Sequence, residues 1–175
     1  SAYWREQAKV TGSPVVGRLV FTSSHIGVFG NAGQSAYGAA KAAIILLGLT
    51  AAREMARYGV TVNTICPGAK TRLVEALFPD DPPADGFDPL SPENIAPLVA
   101  FLCGEGAGGI SGQVFGVNGG TVELLEGWTS ANAIDIGRRW TVDELGERMA
   151  DIFDGRPTGP PELLADRSYL ADLET

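Results

Sequence analysis

Apolar residues gather in runs whose character changes along the chain. From Gly17, GRLVFTSS is a compact β-branched and aromatic run of the kind buried on both faces of a parallel sheet, closed by Ser23 and Ser24. Gly59-VTVNTIC-Pro67 predicts a second strand, stopped by Pro67-Gly68, and SGQVFGVNGG predicts a third. Between the first two lies SAYGAAKAAIILLGLTAAREMARYG, rich in Ala and Leu and ending at Gly59, which predicts a long helix from Ser35 to Tyr58. Between the second and third, Ser91-Pro92-Glu93 supplies an N-cap, a proline at the first helical position and an early acid, so a helix is expected over 92–103. The opening SAYWREQAKVTGSP has the pattern of a helix end, stopped by Gly12 and Pro14. Residues 27–34, with three glycines and no period, are expected to form a loop, and residues 69–90, with four prolines and four aspartates, a flap bearing Leu77, Phe78, Phe87 and Leu90.

Strand, helix, strand, helix, strand with crossovers of this length predicts an α/β fold: the carboxyl-terminal half of a doubly wound, Rossmann-like sheet with three parallel strands and flanking helices. Residues 1–121 are assigned to this partial domain. Beyond Thr121 the pattern weakens, and 122–175 are taken as a carboxyl-terminal extension whose short helix starts at the capping box Thr141-x-x-Glu144.

Composition narrows the function. With 175 residues, 45% of them hydrophobic, the chain suits one domain with a core. Thirteen basic against 21 acidic residues leave a formal charge of −8, which disfavours nucleic acid and anionic membrane surfaces as partners. Cys66, Cys103 and the single His25 do not make a zinc site, and no metal is expected. No apolar run is expected to approach the roughly 20 residues of a membrane helix. With no secretory pattern at the start, a cytoplasmic protein is the expectation.

Tyr37 and Lys41 stand four apart near the start of the long helix and project from one face. Alone, such a pair is more often a core tyrosine beside a solvated lysine. Its setting changes that, because Ser24 ends the preceding strand at its carboxyl end, where open α/β sheets bind ligands. An unaided phenol ionises near pH 10, so as a base near neutrality it needs a positive charge close by. At a separation of about 4 Å and an effective dielectric of about 20, such a charge is worth about 4 kcal/mol, and Lys41 is its source here. Ser24 would hold a substrate oxygen while Tyr37 moves a proton and a hydride enters or leaves the carbon. His25 is taken as a polar residue near the cleft, and Trp4, Trp128 and Trp140 as packing groups.

TSSHIG, QSAYGAAK and VTVNTICPG, in that order, resemble the short-chain dehydrogenase/reductase superfamily, over roughly residues 15–120. The resemblance implies that Ser24 positions the carbonyl or hydroxyl, that Tyr37 is the catalytic acid/base, and that Lys41 also bonds the nicotinamide ribose. It also places Pro67, Gly68 and Thr71 at the turn contacting the nicotinamide carboxamide, with Thr71 one position earlier than is usual and equally fit to stabilise the turn. GVFGNAGQSAYGAAK, PGAKTR, SPENIAPLVAFLC, SGQVFGVNGG and Gly137-Arg-Arg-Trp140-Thr141 more closely resemble bacterial relatives of the dehydrogenase unit of peroxisomal multifunctional enzyme type 2. That likeness implies an NAD(P)-dependent interconversion of a secondary alcohol and a ketone on an apolar small molecule, 3-hydroxyacyl or steroid-like.

The family's glycine-rich turn and the residue choosing between NAD and NADP belong ahead of residue 1, and GVFGNAG does not match GxGxxG. The 175 residues alone are therefore expected to be inactive. A second possibility is an inactive oligomerisation or interaction module. A homo-oligomer suits both, with Ala39, Ala43, Leu46, Leu47, Thr50 and Met55 of the long helix available for burial against its twofold mate.

Overall fold

The computed structural model describes residues 2–72 and 86–159. Leu77 and Phe78 of the expected flap lie outside the described residues. The chain divides into two compact units, Ser1–Glu126 and Gly127–Thr175.

In the first unit the elements run α1 (Ala2–Thr11), β1 (Gly17–Thr22), α2 (Ile26–Phe29), α3 (Ser35–Met55), β2 (Val60–Gly68), α4 (Ala96–Cys103), β3 (Val114–Asn118) and β4 (Thr121–Leu125). The sheet has the order β1-β2-β3-β4. The first three strands are parallel, and Thr64 of β2 pairs with Val114 of β3. The fourth is antiparallel to β3, with Gly116 opposite Glu123. That strand was not foreseen, because TVELLE offers only a short alternation after a Gly-Gly pair. A two-residue turn permits such a hairpin where a parallel crossover would need a dozen residues or more. The expected loop after β1 likewise contains one short helix, α2, closed by hydrogen bonds from Val28 and Phe29 N–H to the His25 carbonyl.

Alternating positions of the strands feed two cores, one on each face, as a doubly wound sheet requires. Leu19, Phe21, Val60 and Val62 pack with Ala52 and Met55 of α3 and with Trp4 of α1. Val20, Ile65 and Phe115 pack on the other face with Leu98, Val99 and Leu102 of α4. The polar Asn63 within β2 is buried, yet its amide donates to the Ile110 carbonyl at 2.8 Å and its Oδ1 accepts from Gln113 N–H at 3.1 Å. The side chain thereby ties β2 to the segment that leads into β3.

Residues Ser35–Tyr58 are, by length and composition alone, apolar enough to cross a bilayer, a run longer than the sequence pattern had indicated. Here α3 lies along β2: Gly48, Ala52 and Met55 are buried, and a Cβ at Gly48 would meet Thr64 Oγ1 at 2.5 Å. Ser91 caps the turn before α4, accepting from Glu93 N–H as its sequence predicts.

In the second unit, α5 (Val142–Phe153) begins at the expected capping box: Thr141 accepts from Glu144 N–H, and the Glu144 carboxylate accepts from Thr141 N–H at 3.0 Å. Arg138 donates to both oxygens of the same carboxylate. These bonds hold the Glu144 carboxyl down to about 2, with Arg138 the largest cause and Thr141 next.

Candidate active site

The site is set out along the carboxyl ends of the parallel strands, where the sheet and the start of α3 face the same space. Ser24 is the second residue beyond β1, Pro67 and Gly68 end β2, and Asn118 ends β3. The backbone of Gly68 meets the Asn118 side chain, since a Cβ there would be 3.2 Å from Asn118 Cγ. Asn118 Oδ1 is buried with no hydrogen-bond partner among the described residues.

Tyr37 and Lys41 occupy the first two turns of α3, and helical spacing stacks them: Lys41 Nζ lies over the Tyr37 ring, 5.6 Å from its centroid. The tyrosine is 46% exposed. Its hydroxyl has no hydrogen-bond partner among the described residues. Lys41 Nζ donates one long bond, at 3.4 Å, to the carbonyl of Thr22, the last residue of β1. Two of its three N–H groups thus have no protein acceptor among the described residues. The ammonium bridges the helix and the strand end, close to both the phenol ring and the start of the Ser24 turn.

Ser24 Oγ accepts from Ile26 N–H at 3.2 Å, which leaves its own O–H to donate outward. The turn around it is anchored by its neighbour: Ser23, 3% exposed, donates its hydroxyl to the Lys41 carbonyl at 2.7 Å, and its backbone N–H to the Ile65 carbonyl at 2.7 Å. Gly27 completes the fit. A Cβ there would stand 2.7 Å from the Lys41 carbonyl carbon and 2.8 Å from Ala42 N, so α2 rests directly on the backbone of α3. Ser23 and Gly27 were not singled out from the sequence, where Gly27 had passed for loop geometry. A glycine needed for closeness rather than for a left-handed φ has no local signature.

His25, on the far side of Ser24, is also buried, with its ring against Gly116 and its Nε2 3.8 Å from Glu123 Oε2. Thr71 is exposed at the end of the described segment that leaves β2. One residue before it, Lys70 N–H donates to the Leu90 carbonyl at 2.7 Å, joining the two ends of the segment that holds the expected flap.

A mostly parallel α/β sheet with flanking helices, bearing Ser24 beyond the end of β1 and Tyr37 and Lys41 on α3, defines the fold class. The chain belongs to the short-chain dehydrogenase/reductase family: residues 2–122 match the family model described as enoyl-(acyl carrier protein) reductase. It is 43% identical over 164 residues to the hydroxyacyl-CoA dehydrogenase ChsB1 of Mycobacterium tuberculosis, a match covering 89% of this chain and 50% of that protein. Its fold is similar to the crystal structure of a short chain dehydrogenase from Mycobacterium avium, with TM-score 0.77 and 44% identity over 93% of this chain and 53% of that one. It is also similar to full-length peroxisomal multifunctional enzyme type 2 from Drosophila melanogaster, with TM-score 0.67 and 29% identity over 99% of this chain and 30% of that one. The chain spans about half the length of the first of these relatives.

Proposed function

We propose that the protein carrying this sequence interconverts a secondary alcohol and a ketone on an acyl thioester, with NAD or NADP as hydride carrier and with Ser24, Tyr37 and Lys41 as its catalytic residues. The observation that carries this reading is the Lys41 ammonium over the Tyr37 ring, on a helix whose backbone receives the hydroxyl of Ser23 next to Ser24. The hydroxyacyl-CoA dehydrogenase ChsB1 supports the substrate class by its name and its 43% identity.

The donors present suit a nicotinamide ribose: the Tyr37 hydroxyl and two Lys41 N–H groups, without partners among the described residues, match the acceptors of a sugar diol. Tyr37 and Lys41 would hold that ribose, and Pro67, Gly68 and Thr71 the carboxamide. When bound, the nicotinamide supplies or takes up the hydride. The chain's own groups do the rest. Ser24 donates its O–H to the substrate oxygen and orients it. Tyr37 gives that oxygen a proton in reduction and removes one in oxidation. Lys41 keeps its positive charge beside the phenol ring during the transfer. The apolar Phe87 and Leu90 suit an apolar substrate.

The exposed face of α3 supports a homo-oligomer. Leu46 and Leu47 are 62% and 55% exposed, and Ala39, Ala43 and Thr50 are exposed beside them. Met55, grouped with them from the sequence, is instead 3% exposed in the core against β2.

The test uses the protein carrying this sequence with 3-hydroxybutyryl-CoA and 3-hydroxydecanoyl-CoA, each with NAD and with NADP. Cofactor reduction that disappears in Tyr37→Phe is the expected result. Absence of turnover with either thioester and either cofactor overturns the reading.

A further inference from the structure

Ser24 sits between two buried neighbours that are tied to different elements of the fold. Ser23 is bonded to α3 and β2, as described above. His25 reaches instead toward β3 and β4. Its side chain is 8% exposed, and its Nε2 lies 3.8 Å from Oε2 of Glu123 on the antiparallel strand β4. Between them lies Gly116 of β3, the register partner of both Cys66 and Glu123. A Cβ at Gly116 would be 2.7 Å from His25 Nε2 and 2.9 Å from Glu123 Oε2, so both side chains occupy the space that this glycine leaves open. The His25 carbonyl also accepts from Val28 and Phe29 N–H, which makes it the start of α2.

We propose that His25 is a positioning residue for Ser24, seated over Gly116 and held by Glu123, so that the antiparallel edge strand fixes where the Ser24 hydroxyl stands. The inference rests on the dehydrogenase reading above. A buried imidazole has lost the freedom of a surface side chain, and a carboxylate beside it fixes ring orientation. The residue preceding it in the chain then has its backbone pinned from both sides: Ser23 sets the path into Ser24, and His25 sets the path out. With Gly27 seated on Lys41, the serine, the tyrosine and the lysine share one rigid frame. No activity of His25 as an acid or base is involved; it acts through Ser24.

The experiment is a double-mutant cycle in the protein carrying this sequence, with 3-hydroxybutyryl-CoA as probe. His25→Gln and Glu123→Gln are each expected to lower kcat by roughly tenfold to a hundredfold, the scale of a misplaced catalytic group. The KM for the nicotinamide cofactor and the melting temperature should stay near their wild-type values. In a Ser24→Ala background the same replacements should cause no further loss, because the group they position is gone. Equal losses in both backgrounds, or an unchanged kcat, overturn the proposal. Should His25→Gln fail to fold, Glu123→Gln carries the same cycle, since its side chain is 37% exposed. Wild-type turnover that is lost in Tyr37→Phe but indifferent to His25 and Glu123 leaves the dehydrogenase reading standing and removes this inference alone. A wild-type protein without turnover removes both.

Discussion

Gly27 and Lys41 meet backbone to backbone: a Cβ on Gly27 would stand 2.7 Å from the Lys41 carbonyl carbon and 2.8 Å from Lys41 Cβ. The turn after β1 is thereby docked on the helix that carries Tyr37, without an intervening side chain. The distance between the strand-end serine and the helix-borne pair is set by this contact and by the Ser23 hydroxyl on the same Lys41 carbonyl.

Gly27→Ala is expected to lift α2 from α3. The new methyl would press on backbone, which yields less than a side chain, so a loss of about 1–3 kcal/mol of stability is expected, in the range of overpacked sites. Urea unfolding of the purified variant measures the loss, and turnover should fall more than the folded fraction does.

Tyr37→Phe should leave folding intact, because the ring is 46% exposed and the hydroxyl bonds no described residue. Turnover should drop by about 100-fold or more, as for loss of a general acid/base. Steady-state kinetics beside a thermal melt separates the two effects. Lys41→Gln should lower kcat and raise the cofactor KM together, since the lysine is proposed both to polarise the phenol and to hold the ribose.

Asn63→Ala removes a buried amide and leaves its two partners, the Ile110 carbonyl and Gln113 N–H, unsatisfied. A destabilisation of about 2 kcal/mol or more is expected at a site of this burial. Chemical denaturation checks it, with Asn63→Asp as the companion that keeps the acceptor and loses the donor.

Glu144 is lowered from an ordinary 4.5 to about 2, first by Arg138 and then by Thr141. A depressed carboxyl contributes to folding above about 4.5 and loses that contribution as pH falls toward about 2. Carbon NMR should follow the Glu144 carboxyl titrating in that window. In Arg138→Ala the midpoint should move up, and the first turn of α5 should fray at correspondingly higher pH.

Replacing Leu46 and Leu47 together with glutamate should shift an oligomer toward monomer in light scattering while leaving circular dichroism unchanged, since both side chains are exposed on α3. Met55→Glu, at 3% exposure, should unfold the chain instead.

The sequence by itself determined the kind and order of most elements. Continuous apolar runs ended by serines or Pro-Gly need no distant partner to be recognised as buried parallel strands. Tyr37 and Lys41 were legible as a pair because helical geometry makes residues four apart neighbours, a purely local relation. The capping box at Thr141 was legible for the same reason. The strand β4 was not, because a five-residue strand owes its existence to pairing with β3 rather than to its own propensity. Nor could any local pattern separate Met55, which turns into the core, from Leu46 and Leu47, which do not, on a helix apolar nearly all round. Gly27, Gly116, His25 and Glu123 belong to this second group. Each is an unremarkable residue in its own segment, and its role lies in a close approach between elements far apart in the chain. Only the packed tertiary structure, in which strand twist and helix docking fix those approaches to within tenths of an ångström, decided which of them matter.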